Sequence, residues 1–254
     1  MKKISILAFT LSAIALSVSA QTKQPMEMKP EMTEIWEPEV PVVTPGRTAA
    51  DAPSDAIILF DGNDLSKEWT NAEGGLPGWK VADGCVTVVK GAGIIKTKKV
   101  FDDCQLHIEW RTPTKVEGES QGRGNSGIFM QERYEVQVLD SYNNRTYRNG
   151  QAGSIYKQYA PLVNVCKAPG EWQSYDIIYT APRFNDDGTY FTRPAITILQ
   201  NGVLIQNHVE LRGPTQYIGI PEYFVEKHGA AAIVLQDHGN PVSFRNIWIR
   251  KLDL

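Results

Sequence analysis

From residue 56 to residue 250 the chain runs in short segments of alternating apolar and polar residues, each closed by Gly, Pro, Asn or Asp. This cadence restricts the fold more than any other feature. A period of two places successive side chains on opposite faces of a strand, so each segment reads as a strand with one face buried. The expected strands are 56–60, 79–82, 85–90, 94–97, 104–111, 126–131, 134–139, 173–180, 195–200, 203–210, 232–235 and 244–250. Asp83-Gly84 and Asn201-Gly202 each separate two of these by residues that tolerate positive φ, the signal of a tight hairpin. The stretch 182–194, with Pro182, Asp187-Gly188 and Pro194, reads as a loop. No segment carries a sustained helical stripe, and 221–227 is the one candidate for a short helix. The prediction is an all-β fold: two antiparallel sheets packed face to face, a jelly-roll sandwich with one concave face.

The N-terminal residues follow other rules. Lys2 and Lys3, the apolar run 4–18 and the small residues Val18-Ser19-Ala20 predict a signal peptide over 1–20 and export to a bacterial periplasm. That run is short for a bilayer crossing, and no other stretch approaches the length, so no membrane span is expected. Residues 21–55 carry Pro25, Pro30, Pro38, Pro41, Pro45 and Pro53 and read as an extended arm or linker. Ile35-Trp36 and residues 40–43 are apolar enough to pack on the domain that occupies 56–254. A net charge of −3 and no basic patch argue against nucleic acid as a partner. Three cysteines remain, an odd number; Cys85 and Cys104 either pair or stay as small buried thiols, and their spacing matches no zinc pattern.

The strand 134–140, Tyr-Glu-Val-Gln-Val-Leu-Asp, is the most informative segment. Alternation puts Val136 and Val138 on one face and Glu135 and Gln137 on the other, where both would point into any concavity. Asp140 has the wrong parity and needs a bulge near Leu139 to join them. Upstream, Gln121-Gly122-Arg123-Gly124-Asn125-Ser126-Gly127 is glycine-rich but does not enter a helix, so it is no dinucleotide site. Arg123 there either bridges Glu135 or Asp140 or donates to a ligand oxygen. His238, in Leu235-Gln236-Asp237-His238-Gly239, stands where a strand gives way to a loop. An Asp beside a His can hold one tautomer and make it a base near neutral pH; a loop histidine bonding backbone is the plainer alternative. The loop tyrosines Tyr142, Tyr147 and Tyr156 are candidates for stacking on a sugar, whereas most tryptophans belong to the core. His107, His208 and His228 form no recognisable metal set. Asp186 and Asp187 offer oxygen ligands for Ca²⁺ or make a plain turn, so a divalent metal stays open and no other cofactor is expected.

These motifs carry a resemblance. Leu59-Phe60-Asp61-Gly62-Asn63-Asp64-Leu65, Gly124-Asn125-Ser126-Gly127-Ile128-Phe129, the strand 134–140, Pro169-Gly170-Glu171-Trp172, Asn201-Gly202-Val203, residues 235–239 and Phe244-Arg245-Asn246-Ile247 occur in this order. Together they resemble the 3-keto-disaccharide hydrolase domain family, long labelled a domain of unknown function, over residues 56–254. That family is similar to concanavalin-like jelly rolls. The resemblance implies a substrate already oxidised to a ketone at sugar carbon 3 by an upstream sugar 3-oxidoreductase. A 3-ketone acidifies the proton on carbon 2; a base removes it, the enolate expels the substituent on carbon 1, and water adds back. In that reading Glu135 or His238 is the base, and Arg123 with Gln137 or Asn125 stabilises the enolate. Asp140 and Tyr156 bind substrate or supply the acid, and Gln236 and Asp237 bind substrate. Arg123→Ala is then expected to be crippling, since losing one oxyanion donor costs about 100- to 1000-fold.

Two other readings stand beside this one. The spacing Glu-x-Gln-x-x-Asp is similar to the Glu-x-Asp-x-x-Glu strand of concanavalin-like endoglucanases, which would make Glu135 and Asp140 the carboxylate pair of a conventional glycosidase. The third reading is a carbohydrate-binding module without turnover.

Overall fold

The structure, a computed structural model, describes residues 26–219 and 226–252. The predicted leader over 1–20, and residues 221–225 of the expected short helix, lie outside the described residues; Glu226 and Lys227 have no regular structure. Two compact units divide the chain after Val42. The first, described from residue 26, holds one 3-10 turn at Pro30–Thr33, with Pro30 at the position where a missing N–H costs nothing. Its apolar side chains Ile35, Trp36, Val40 and Val42 are exposed.

The second unit starts at Val43. Its strands are β1 (Ile57–Phe60), β2 (Trp69–Asn71), β3 (Lys80–Ala82), β4 (Cys85–Thr87), β5 (Ile95–Thr97), β6 (Cys104–Arg111), β7 (Ser126–Met130), β8 (Tyr134–Val138), β9 (Gln173–Thr180), β10 (Arg183–Phe184), β11 (Tyr190–Thr192), β12 (Ala195–Gln200), β13 (Val203–Glu210), β14 (Val234–Leu235) and β15 (Ser243–Lys251). The large sheet runs β13-β12-β9-β6-β15-β4-β3, with β1 also paired to β15; the smaller runs β2-β5-β14-β7-β8. This is the two-sheet antiparallel sandwich that the alternation predicted. Both two-residue turns are present: Ala82 pairs with Cys85 across Asp83 (φ 52°) and Gly84 (φ 72°), and Gln200 pairs with Val203 across Asn201 (φ 52°) and Gly202 (φ 78°). β2 is too short to show a period. The loop expected at 182–194 folds into the small ribbon β10-β11.

The two sheets meet through a core that includes Trp69, Phe101, Leu106, Ile108, Trp110, Val136, Tyr175, Ile177 and Phe244, all fully buried. Each such side chain contributes roughly 1.5–3 kcal/mol. Two tyrosines of β9 cross the core with their hydroxyls satisfied on the other side. Tyr175 donates to the Gln137 carbonyl of β8 (2.9 Å) and Tyr179 to Gln131 Oε1 (2.7 Å). The large sheet therefore pins the strand that carries Glu135 and Gln137. Cys85, Cys104 and Cys166 are free thiols, so the pairing of Cys85 with Cys104 does not form.

On its other face the large sheet carries a compact charged cluster. His107 Nδ1 lies 2.7 Å from Asp176 Oδ1, its ring stacks on Trp248 at 5.2 Å, and Glu109 stands 3.9 Å from Nε2. Residue 50 closes over this cluster, its carbonyl accepting from Asn246 Nδ2 and Trp248 Nε1. Burial opposes the imidazolium, but Asp176 and then Glu109 outweigh it and hold the His107 pKa up at about 9. A folded-state pKa above the unfolded value means stability that is complete below about pH 6.5 and lost as pH rises through 9. The contribution is roughly 3 kcal/mol. The unfolding free energy of the parent should therefore exceed that of His107→Gln by about this much at pH 6, and denaturant titrations should show the gap closing by pH 10.

Candidate active site

β8 is the last strand of the smaller sheet, and its outer edge would be open without the loops. The segment after it turns back to close that edge: Gln137 N–H donates to the Ser154 carbonyl, Gly153 N–H to that of Gln137, and Tyr156 N–H to that of Glu135. Thr215 Oγ1 accepts from Glu135 N–H at 2.9 Å. The polar face of β8 is thereby roofed, and Glu135 and Gln137 are 5% and 1% exposed where a solvent-facing sheet would leave them wet.

Under this roof lies a cavity of about 350 Å³ lined by Asn125, Phe129, Glu135, Gln137, Tyr156, Thr215, Tyr217, Gln236 and His238. Glu135 makes no salt bridge among the described residues, and burial pushes its pKa up to about 8. Its room comes from Gly127 on the neighbouring strand, paired with Gln137. A Cβ on Gly127 would stand 2.6 Å from Glu135 Oε1 and 3.0 Å from Phe129 Cε2. The carboxyl end can swing away, so Gly127→Ala should keep the fold but displace the carboxyl. A misplacement of about 1 Å costs on the order of 100-fold in rate. Steady-state kinetics beside a circular-dichroism melt checks this; an unimpaired rate would remove the carboxyl position from the chemistry.

Two groups in the cavity have no internal partner. Gln236 Oε1 is buried without a hydrogen bond, and His238, exposed at the rim, makes none among the described residues. Tyr156 shares a 2.6 Å hydrogen bond with Tyr147, and burial holds its phenol well above the ordinary range, hence neutral. Asn125 is committed, its N–H to Asn240 Oδ1 and its amide nitrogen to the Gln121 carbonyl.

Three expected site residues stand elsewhere. Asp140 does not swing round through a bulge; Arg123 Nε donates to its Oδ2 at 2.6 Å, and Tyr142 N–H to its Oδ1. A second bond, from Arg123 Nη2 to the Tyr142 carbonyl, completes the clamp. Arg123 and Asp140 line a separate cavity of about 210 Å³ with Thr112, Lys115 and Asn240. Arg123 thus stands in an ion pair lining that second cavity and is not among the residues lining the cavity of Glu135. Asp237 holds a turn: its Oδ2 accepts from Gly91 and Gly93 N–H and its Oδ1 from Gly239 N–H. It therefore neither binds in the cavity nor orients His238. Phe129, Thr215 and Tyr217 were not foreseen. Phe129 shares a face with Gly127 two residues away, a signal within reach, but Thr215 and Tyr217 come from a loop without pattern.

No group of three or more His, Cys, Asp or Glu placed to hold a metal ion occurs among the described residues. At the candidate calcium loop, Asp187 Oδ1 is taken by the N–H and hydroxyl of Thr189. Among the described residues no helix is long and apolar enough to cross a membrane.

The fold and site together define a β-sandwich with a roofed polar cavity in which, among the described residues, one buried carboxyl stands without a salt-bridge partner. Over residues 55–250 the chain belongs to the family of 3-keto-α-glucoside-1,2-lyase-like domains. It is 58% identical to a candidate glycosyl hydrolase from Parabacteroides distasonis ATCC 8503, with a TM-score of 0.83 over 89% of this chain and 97% of that one. A second candidate glycosyl hydrolase from the same organism shares the fold at 24% identity and a TM-score of 0.56, over 78% and 94% of the two chains. No curated protein matches the chain.

Proposed function

We propose that the protein cleaves 3-keto-glycosides, with Glu135 removing the proton on carbon 2 and the resulting enolate expelling the carbon 1 substituent. One observation carries this reading: among the described residues the cavity holds a single carboxyl, without a salt-bridge partner. A conventional glycosidase needs two carboxyls about 5–10 Å apart across the scissile bond. Asp140, the second member of any such pair here, is clamped by Arg123 outside this cavity. Proton abstraction next to a ketone needs one base, and a carboxyl raised toward 8 is a stronger base than an ordinary one. A binding module would gain nothing from burying an unpaired acid.

The remaining roles follow from what each group has left to offer. Tyr156, whose phenol stays neutral, protonates the departing oxygen, and Gln236 and His238 receive sugar hydroxyls. Family membership and the similarity to candidate glycosyl hydrolases support glycoside cleavage as the general activity. The 3-keto form of the substrate implies a sugar 3-oxidoreductase acting before this protein, and the leader-like residues 1–20 support export of this chain.

The test compares a 3-keto-disaccharide with its unoxidised parent in deuterated water. Release of the second sugar from the keto form alone, with deuterium entering at carbon 2, is the expected result. Cleavage of the unoxidised parent would point to the glycosidase reading, and cleavage of neither to a binding module.

A further inference from the structure

Behind the cavity, two carboxamides form a line from a backbone carbonyl to Glu135. Gln121 Nε2 donates to the Gly150 carbonyl and to Thr146 Oγ1, both at 2.9 Å. Its Oε1 accepts from Gln137 Nε2 at 2.9 Å, a nitrogen that also lies 3.4 Å from Asn125 Oδ1. The other end of the Gln137 amide faces Glu135 Oε1 and the Ser126 carbonyl, each 3.2 Å away.

Which end of each amide carries nitrogen is decided by the network. The Gly150 and Ser126 carbonyls can both only accept, so either setting leaves one oxygen against a carbonyl: at 3.2 Å by Ser126, or at 2.9 Å by Gly150. The looser contact costs less, so Gln121 presents Nε2 to Gly150 and Oε1 to Gln137. Gln137 must then present Nε2 to Gln121 and its own Oε1 to Glu135. An ionised Glu135 would leave that oxygen facing another acceptor; a protonated Glu135 donates to it. The reverse arrangement, with Gln137 Nε2 turned to Glu135 and Ser126, suits the carboxylate. It puts Gln137 Oε1 against Gln121, and Gln121 can respond only by turning an oxygen toward the Gly150 carbonyl. Each protonation state of Glu135 thus has its own setting of both amides.

We propose that Gln121 is a positioning residue: anchored on Gly150, it makes Gln137 present an oxygen to Glu135 and so keeps the carboxyl protonated in the empty site. The proton leaves only as the two amides turn together, and its return restores the original hydrogen bonds. Glu135 is thereby made a stronger base at the expense of its ionised fraction near neutral pH. The burial of Glu135 acts in the same direction. Among the described residues the titratable groups facing Glu135 are His238 at the rim, Tyr217 on the loop after β13, and Tyr147 and Tyr156 with Lys157 beside them. None of these touches the two amides.

The inference deepens the reading of Glu135 as the base, and its consequence for turnover rests on that reading. Its test uses no substrate, so either can fail alone. The Glu135 carboxyl is followed by carbon NMR in protein labelled at glutamate Cδ, with its resonance identified by its absence in Glu135→Gln. Gln121→Met keeps the chain length but removes both ends of the link, freeing Gln137 to donate to Glu135. The titration should fall by about one pH unit or more, the size of one hydrogen bond to a charged group. Gln121→Glu restores an acceptor toward Gln137, and the titration should return to the parent value or above. Equal midpoints in parent and Gln121→Met would overturn the proposal. Should Gln121→Met not fold, the parent suffices: nuclear Overhauser contacts of the Gln137 amide protons should move from Gln121 to Glu135 as the carboxyl ionises. Contacts that do not move would also overturn it.

Discussion

Glu135→Gln should lower the rate of 3-keto-disaccharide cleavage by about 100- to 10,000-fold, the usual worth of a positioned general base. The amide has the same shape and cannot take a proton from carbon. The fold should not suffer, because Glu135 makes no salt bridge among the described residues and its pKa is held near 8 by burial. Stability should show the linkage directly. Between about pH 4.5 and 8 the folded carboxyl keeps its proton while the unfolded one has lost it, so the parent loses stability as pH rises through this window. Glu135→Gln lacks that loss and should become the more stable protein toward pH 8. In turnover, the parent rate should climb with pH to a plateau above 8, as the base becomes fully ionised. A variant with undiminished rate, or a parent rate that falls from pH 6 to 8, would remove Glu135 from the role of base.

Arg123→Ala should cost about 3–5 kcal/mol of stability and leave the rate on folded protein nearly intact. Asp140 is 3% exposed, and its Oδ2 accepts from Arg123 at 2.6 Å. Removing the guanidinium strands a charge in a site that water barely reaches, and the melting temperature should drop by about 10 °C or more. Replacing both partners, Arg123→Met with Asp140→Leu, removes the stranded charge and should recover most of the loss. The two measurements separate a clamp from an enolate donor. A rate falling by 100-fold at unchanged melting temperature would restore Arg123 to the chemistry.

The two residues mark the limit of what alternation can reveal. Period two on β8 assigned Val136 and Val138 to one face and Glu135 and Gln137 to the other, and the structure puts the valines in the core. It could not say that loops would return over the face of Glu135, because Ser154 and Tyr156 through their backbone, and Thr215 through its hydroxyl, bond to the β8 backbone and leave no spacing in sequence. Asp140 sits beyond the strand, where parity stops predicting direction, and it found Arg123 instead of Glu135. Asp237 looked like a partner for His238 because it precedes it, but neighbours in a turn point apart, and the carboxylate went to three backbone N–H groups. In sequence Gly127 is one of several glycines in a run; its use is the space it leaves for a carboxyl on the adjacent strand.

The sequence by itself determined the all-β sandwich, its hairpin turns and the polar face bearing Glu135, since strand period and turn chemistry are local properties of the chain. Only the tertiary structure decided which polar residues share a cavity, which are spent on holding loops, and that Glu135 is buried with no salt-bridge partner among the described residues. Those outcomes depend on contacts between residues far apart in the chain, such as Gly127 with Glu135 and Thr215 with β8. Burial, which sets the basicity of Glu135, is the product of all of them.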